Sequence, residues 1–135
     1  MTSWTPGWGE FPQSLLDFWS ERHLCTLTTL RPSGLPHVVP VGVAIDPEQE
    51  CAWVIASASS RKVHHVAECA AVAACQVDGR RWSTIEGRGV VLTDSASVAR
   101  ACERYAWRYR IPRPNPERVA IRIEVERFLL SGDLS

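Results

Sequence analysis

Turn chemistry constrains this chain more than any other feature. Runs of β-forming residues at 23–30, 37–45 and 51–56 are separated only by the turns at 31–36 and 46–50, and runs at 71–77 and 82–92 only by the four residues that begin with Asp78-Gly79. A parallel crossover needs about a dozen residues, so each of these neighbours pairs antiparallel. A last run, 118–130, closes the chain. Six strands with this many alternating apolar positions predict a mainly β, α+β protein: a small closed or nearly closed antiparallel barrel with helices plugging its ends. The helices are expected over 13–22, 60–70 and 95–110. Pro12 suits the first turn of the first, with Leu15, Leu16 and Trp19 as its apolar face, and Asp94 and Ser95 can cap the third. Two places break the β pattern. Pro40 and Gly42 interrupt 37–45, and Gly87 and Gly89 interrupt 82–92, which marks an edge, a bulge or a barrel corner.

At 135 residues, with no linker or shift in composition, the chain is expected to be one domain, 1–135, led by a flexible segment 1–11. That segment has no apolar run of the kind a signal peptide or anchor needs, and no stretch reaches the roughly 18 apolar residues of a membrane span. Fifteen basic residues balance fifteen acidic ones, so no global field recruits nucleic acid or a membrane, and any anion binding must be local. The five cysteines, at 25, 51, 69, 75 and 102, include no C-x-x-C and read as free thiols of a cytoplasmic protein.

One place is equipped for local anion binding. All cationic residues but one are arginine; the exception, Lys62, follows Ser57-Ala58-Ser59-Ser60-Arg61 at the junction of a strand and a helix. Helix-start N–H groups, Ser57 and Ser60 hydroxyls and the Arg61 and Lys62 charges suit a phosphate dianion. A serine-capped helix with solvated charges reads equally well. In His37-Val38-Val39-Pro40-Val41, backbone groups on a strand edge can face a flat heterocycle, against a proline on an edge with no function. Asp78-Gly79-Arg80-Arg81-Trp82 offers two guanidinium groups and a stacking ring, or a solvated turn before a core tryptophan. Tyr105, Trp107, Arg108, Tyr109, Arg110, Arg113 and Asn115 form a second cationic-aromatic group, which ordinary helix faces also produce. His64-His65 has no partner at metal-ligand spacing, so no metal is expected. No Gly-x-Ser-x-Gly, Walker or Gly-x-Gly-x-x-Gly motif is present, which disfavours hydrolytic and P-loop chemistry.

Several blocks carry a family resemblance: Ser20-Glu21-Arg22-His23-Leu24, Leu27-Thr28-Thr29-Leu30-Arg31, Pro36-His37-Val38-Val39 with Val41-Gly42, Gln76-Val77-Asp78-Gly79 with Arg81-Trp82, Glu86-Gly87-Arg88, and Tyr109-Arg110 with Pro112-Arg113-Pro114-Asn115-Pro116. Over residues 14–132 the chain resembles the pyridoxamine 5′-phosphate oxidase-like split β-barrel superfamily, in particular its deazaflavin-dependent branch and the biliverdin-reducing members within it. That resemblance implies a six-stranded, FMN-binding-like split barrel, a homodimer, and coenzyme F420 as cofactor, with FMN as the alternative. It places the cofactor phosphate at Ser60, Arg61 and Lys62, the tricyclic ring along 37–41, and the 78–82 loop near the cofactor from the partner subunit. Arg61 departs from the family pattern by adding a charge. The implied activity is hydride transfer to a small conjugated acceptor such as biliverdin. An FMN-dependent oxidase or reductase and a non-catalytic deazaflavin carrier are the rival functions.

Overall fold

The computed structural model of the chain describes residues 2–5 and 7–134. In chain order the elements are β1 (Thr2–Trp4), a 3-10 turn (Trp8–Glu10), α1 (Gln13–Ser20), β2 (Cys25–Leu30), β3 (Pro36–Val41), β4 (Ala44–Asp46), β5 (Cys51–Ser57), α2 (Arg61–Glu68), β6 (Ala71–Asp78), β7 (Arg81–Leu92), α3 (Ser95–Arg108), β8 (Arg118–Leu130) and a second 3-10 turn (Gly132–Leu134). The strands form one sheet in the order β3-β2-β6-β7-β8-β5-β4, with β1 also paired to β8, and every neighbouring pair is antiparallel.

The described residues form eight strands rather than six, and Gly42 explains part of the difference. The run expected at 37–45 divides into β3 and β4, the two ends of the sheet path, joined only by Gly42-Val43. The chain thus crosses from one edge to the other within two residues and closes the barrel covalently, leaving a split where no ladder forms. A Cβ at Gly42 would stand 2.7 Å from Tyr105 Cε2 and 2.9 Å from Tyr109 Cε2, so the crossing lies tight beneath the rings of Tyr105 in α3 and of Tyr109 just past its end. Pro40 is accommodated because β3 is an edge strand. The second interruption is a bulge: register slips between Glu86 and Gly87, whose Cβ would fall 2.1 Å from the Glu124 carbonyl oxygen.

Alternation along β2, β7 and β8 sends Leu27, Ile85, Ile121, Ile123 and Phe128 into one core with Leu15, Phe18 and Trp19 of α1. Phe18 joins the apolar face expected of that helix, while Leu16 is only partly covered. The Trp19 indole N–H donates to Ser83 Oγ at 2.9 Å, which lets a polar ring sit fully buried. The described residues of the opening segment, expected to be flexible, are placed against this core. β1 pairs with β8, and Trp4 lies 4.6 Å from Phe11 and 5.4 Å from Phe128 between ring centres. On the far side α3 is capped by the Asp94 carboxylate, which accepts from Ser97 N at 3.0 Å. There the fully buried Asp46 accepts two hydrogen bonds from Arg100 and one from the Trp53 indole. All five cysteines are free, and among the described residues no helix is long and apolar enough to cross a membrane.

Candidate functional site

The connection from β5 to α2 forms the first wall of the site. Ser60 N donates to Ser57 O at 3.0 Å and Ala58 N to Glu117 O at 2.9 Å, so a tight turn delivers the chain to the helix start. Ser57 Oγ accepts from Asn115 Nδ2 at 2.9 Å, which leaves the serine's own proton free to donate. Ser60 occupies the N-cap position of α2, yet its side chain caps nothing; its Oγ is buried and has no hydrogen-bond partner. A serine serving only as a cap would accept from an N–H of the first helical turn. Those first-turn N–H groups have no intrahelical acceptor either.

Two more buried polar atoms among the described residues are unpartnered, Arg31 Nε and His37 Nδ1. They belong to the same neighbourhood. The His37 pKa is drawn down first by partial burial and then by the charges of Arg31, His65, Arg61 and Lys62. The His37 ring lies 4.9 Å from that of His65 in an edge-to-face contact, and His65 Nδ1 is fixed at 2.9 Å from Thr29 Oγ1. Burial alone also draws down the Lys62 pKa. No carboxylate of the described residues pairs with Arg31, Arg61 or Lys62. Orphaned buried polar atoms are rare in native proteins. Three of them, gathered among unpaired cations at a helix start, make a cradle whose chemistry suits an anionic phosphate group.

β3 runs away from this cradle as an edge strand. His37, Val39 and Val41 stand opposite buried Thr29, Leu27 and Cys25, while Pro36, Val38 and Pro40 face outward and are exposed. Its outer edge carries no strand, so its backbone groups are free to meet a flat ring.

The 78–82 hairpin lies elsewhere. Thr29 pairs with His37, while Thr26 pairs with Cys75; continuing β6 to Asp78 puts the turn roughly 20 Å along the strand from His37, at about 3.3 Å per residue. Within one chain the structure does not bring the two segments together. Arg81 is engaged there: it donates to both Glu21 oxygens at 2.9 and 2.8 Å, bonds Asp78, and lies 4.8 Å over the Phe18 ring. Arg81 and then His23 hold the Glu21 carboxyl down at about 2. Glu21, His23 and Asp78 bring ligand atoms within 4.8 Å of one another, but the Arg81 guanidinium already bonds two of the three. Trp82 is half-buried and its backbone N–H donates to Ser131 Oγ, Gly79 takes a positive φ of 62°, and Arg80 is exposed without a partner among the described residues.

The cationic-aromatic group around α3 sorts by hydrogen bonding. Buried Arg108 is a clamp, donating to Glu21 O at 2.8 Å, Val43 O at 2.6 Å, Phe18 O at 3.4 Å and to Gln76 Oε1. Tyr109 OH donates to His23 O at 2.5 Å and receives Val43 N–H at 3.1 Å. The sequence alone does not single out Arg31, which follows β2 in what reads as an ordinary turn, nor the Thr29–His65 pair. Nothing local distinguishes them; only the pairing of β2 with β3 and the packing of α2 on β2 assemble them.

The fold defines a small split β-barrel protein with unpartnered buried polar atoms and unpaired cations gathered at the start of its second helix, beside an unpaired strand edge. A family profile described as pyridoxamine 5′-phosphate oxidase matches residues 11–132. The chain belongs to that family. It is 49% identical over 119 residues, 88% of this chain and 87% of the relative, to an F420H2-dependent biliverdin reductase of Mycobacterium tuberculosis. Solved structures share the fold. A conserved hypothetical protein of the same species superposes with a TM-score of 0.77 over 90% of this chain and 84% of that one, at 22% identity. A protein described as an F420 reductase superposes with a TM-score of 0.69 over 89% and 97%, at 23% identity.

Proposed function

We propose that this protein is an F420H2-dependent reductase acting on a small conjugated acceptor of the biliverdin type. The observation that carries the reading is the cradle of Ser60, Arg31 and His37, each with an unpartnered buried polar atom, beside Arg61 and Lys62 and at the head of a strand edge that nothing covers. A relative at 49% identity is an F420H2-dependent biliverdin reductase, which supports the choice of cofactor and acceptor.

When bound, the reduced deazaflavin supplies a hydride to an electron-poor carbon of the acceptor. The protein's part is to bind and orient. Ser57, Ser60, Arg61 and Lys62, joined by Arg31, hold the phosphate. His37, set among these cations, serves that end of the site, and Val38, Val39, Pro40 and Val41 lay out the edge along which the ring lies.

A homodimer completes the site in this reading. The outward face of β3, β2 and β6 carries Val38 at 56% and Val77 at 64% exposure around small Ala71 and Ala73, an apolar patch of the kind that pairs with another surface. Since Asp78, Gly79, Arg80, Arg81 and Trp82 lie far from their own chain's cradle, the partner's copy of that hairpin is the one that approaches it. Five free cysteines fit a cytoplasmic setting.

FMN carries a phosphate that the same cradle would accept, so cofactor titration decides. We expect quenching of tryptophan fluorescence by F420, and anaerobic reduction of biliverdin by F420H2. Retention of FMN with no affinity for F420 would transfer the protein to the flavin-dependent reading. Tight F420 binding without turnover of biliverdin or other conjugated acceptors would make it a carrier.

A further inference from the structure

The arginines near the far end of β3 are unequal, and the inequality locates a second anion site. Arg81 and Arg108 are engaged by several protein acceptors each. Arg104 donates twice to Ile45 O and stacks on Trp107. Arg22 and Arg110, by contrast, make no hydrogen bond or ion pair to any described residue, and together they line one cavity of about 430 Å³ with Leu24, Tyr105 and Tyr109. The two tyrosine rings lie 5.0 Å apart, and Tyr109 is pinned by its hydroxyl, so this wall is held in place. Glu21, the acidic residue beside Arg22 in the chain, is already bonded to Arg81 and His23.

The position fits the proposed reductase reading, on which this inference rests. Tyr105 and Tyr109 press on Gly42, directly after β3, whereas the phosphate cradle surrounds His37 near its start. The interval from 37 to 42 is about 17 Å of extended chain, so a ring laid along β3 from the cradle directs its acceptor toward this cavity. The geometry points to the Arg22–Arg110 cavity as the subsite for the acceptor's carboxylates, the propionates in the case of a linear tetrapyrrole. Guanidinium groups pair with carboxylates through two parallel bonds, and the tyrosine rings offer a face to the adjoining pyrrole. The glutamates of the coenzyme's own tail carry the same chemistry. They lie beyond the phosphate, on the side away from the ring, which favours the acceptor.

Biliverdin and its dimethyl ester separate the two sources. For the Arg22→Gln/Arg110→Gln double variant, the preference for acid over ester in kcat/KM is expected to fall about tenfold, with most of the change in KM for the acid. Arg110→Lys, which keeps the charge and loses the fork, should retain part of that preference. Neither arginine has a protein partner, so folding is not at stake, and matching thermal unfolding curves check it. An unaltered acid-to-ester ratio, or weakening of F420 binding in its place, overturns the assignment. A wild type that reduces acid and ester equally also overturns it and leaves the reductase reading intact. A wild type that reduces neither overturns both.

Discussion

Ser60→Ala sets the two accounts of the serine-rich turn against each other, because they predict opposite signs. At an ordinary N-cap the substitution removes a hydrogen bond to the first helical turn and destabilises by about 1 kcal/mol. The Ser60 side chain makes no such bond, and its oxygen is buried without a partner. An unsatisfied buried hydroxyl destabilises by about 1–3 kcal/mol, so its removal should raise the stability of the cofactor-free protein. At the low end of that range, about 1 kcal/mol, the melting temperature of a domain this size rises about 3–4 °C. The same change deletes a hydrogen bond to a charged phosphate, worth about 1.5–3 kcal/mol, so F420 should bind about 10- to 100-fold more weakly. Thermal unfolding with and without F420, together with fluorescence titration, reads both quantities. The variant should melt higher when empty and gain less on adding cofactor. A lower melting temperature in the empty protein, with unaltered F420 affinity, would refute the cradle and restore an ordinary helix cap.

Lys62→Ala should weaken F420 binding by about 1–3 kcal/mol, the range for a charge-assisted contact; an unchanged Kd in the same titration removes Lys62 from the site. Arg108→Met leaves carbonyls of Phe18, Glu21 and Val43 and the Gln76 side chain without their donor, so urea unfolding should show a loss of at least about 1–3 kcal/mol, the range for a buried polar group left unsatisfied, and Arg108→Lys should not restore it because the fork is lost. Asp46 gives a pH signature. Burial pushes its carboxyl up, but the Arg100, Trp53 and Gln49 donors overcome this and hold it at about 2, against 3.8 ordinarily. A depressed pKa gives stability that is present above the ordinary value and lost as pH falls toward the depressed one. About 2 kcal/mol should therefore disappear between roughly pH 4 and pH 2, and denaturant unfolding of Asp46→Asn should lack that slope.

Much of this architecture is written locally. The Pro/Gly-containing turn at 31–36 and the Asp78-Gly79 pair specify hairpins by their backbone preferences, and alternation along 118–130 specifies a strand with the same bounds in the structure. Asp94 names the start of α3, and Gly87 announces the bulge. Ser57, Ser60, Arg61 and Lys62 stand together in the sequence because a helix start gathers consecutive residues, so that half of the cradle was legible too.

The other half depends on contacts between segments far apart in the chain. Arg31 and His37 border a turn that reads like any other, and Arg108 and Arg110 read alike although one is a buried clamp and the other lines an open cavity. The amino-acid order determined which stretches would be strands, where they would turn, and which turn carried cations and hydroxyls, because φ/ψ preference and side-chain alternation are properties of neighbouring residues. Tertiary structure alone decided which polar atoms were left without partners, since hydrogen-bond satisfaction depends on what packing brings across the barrel.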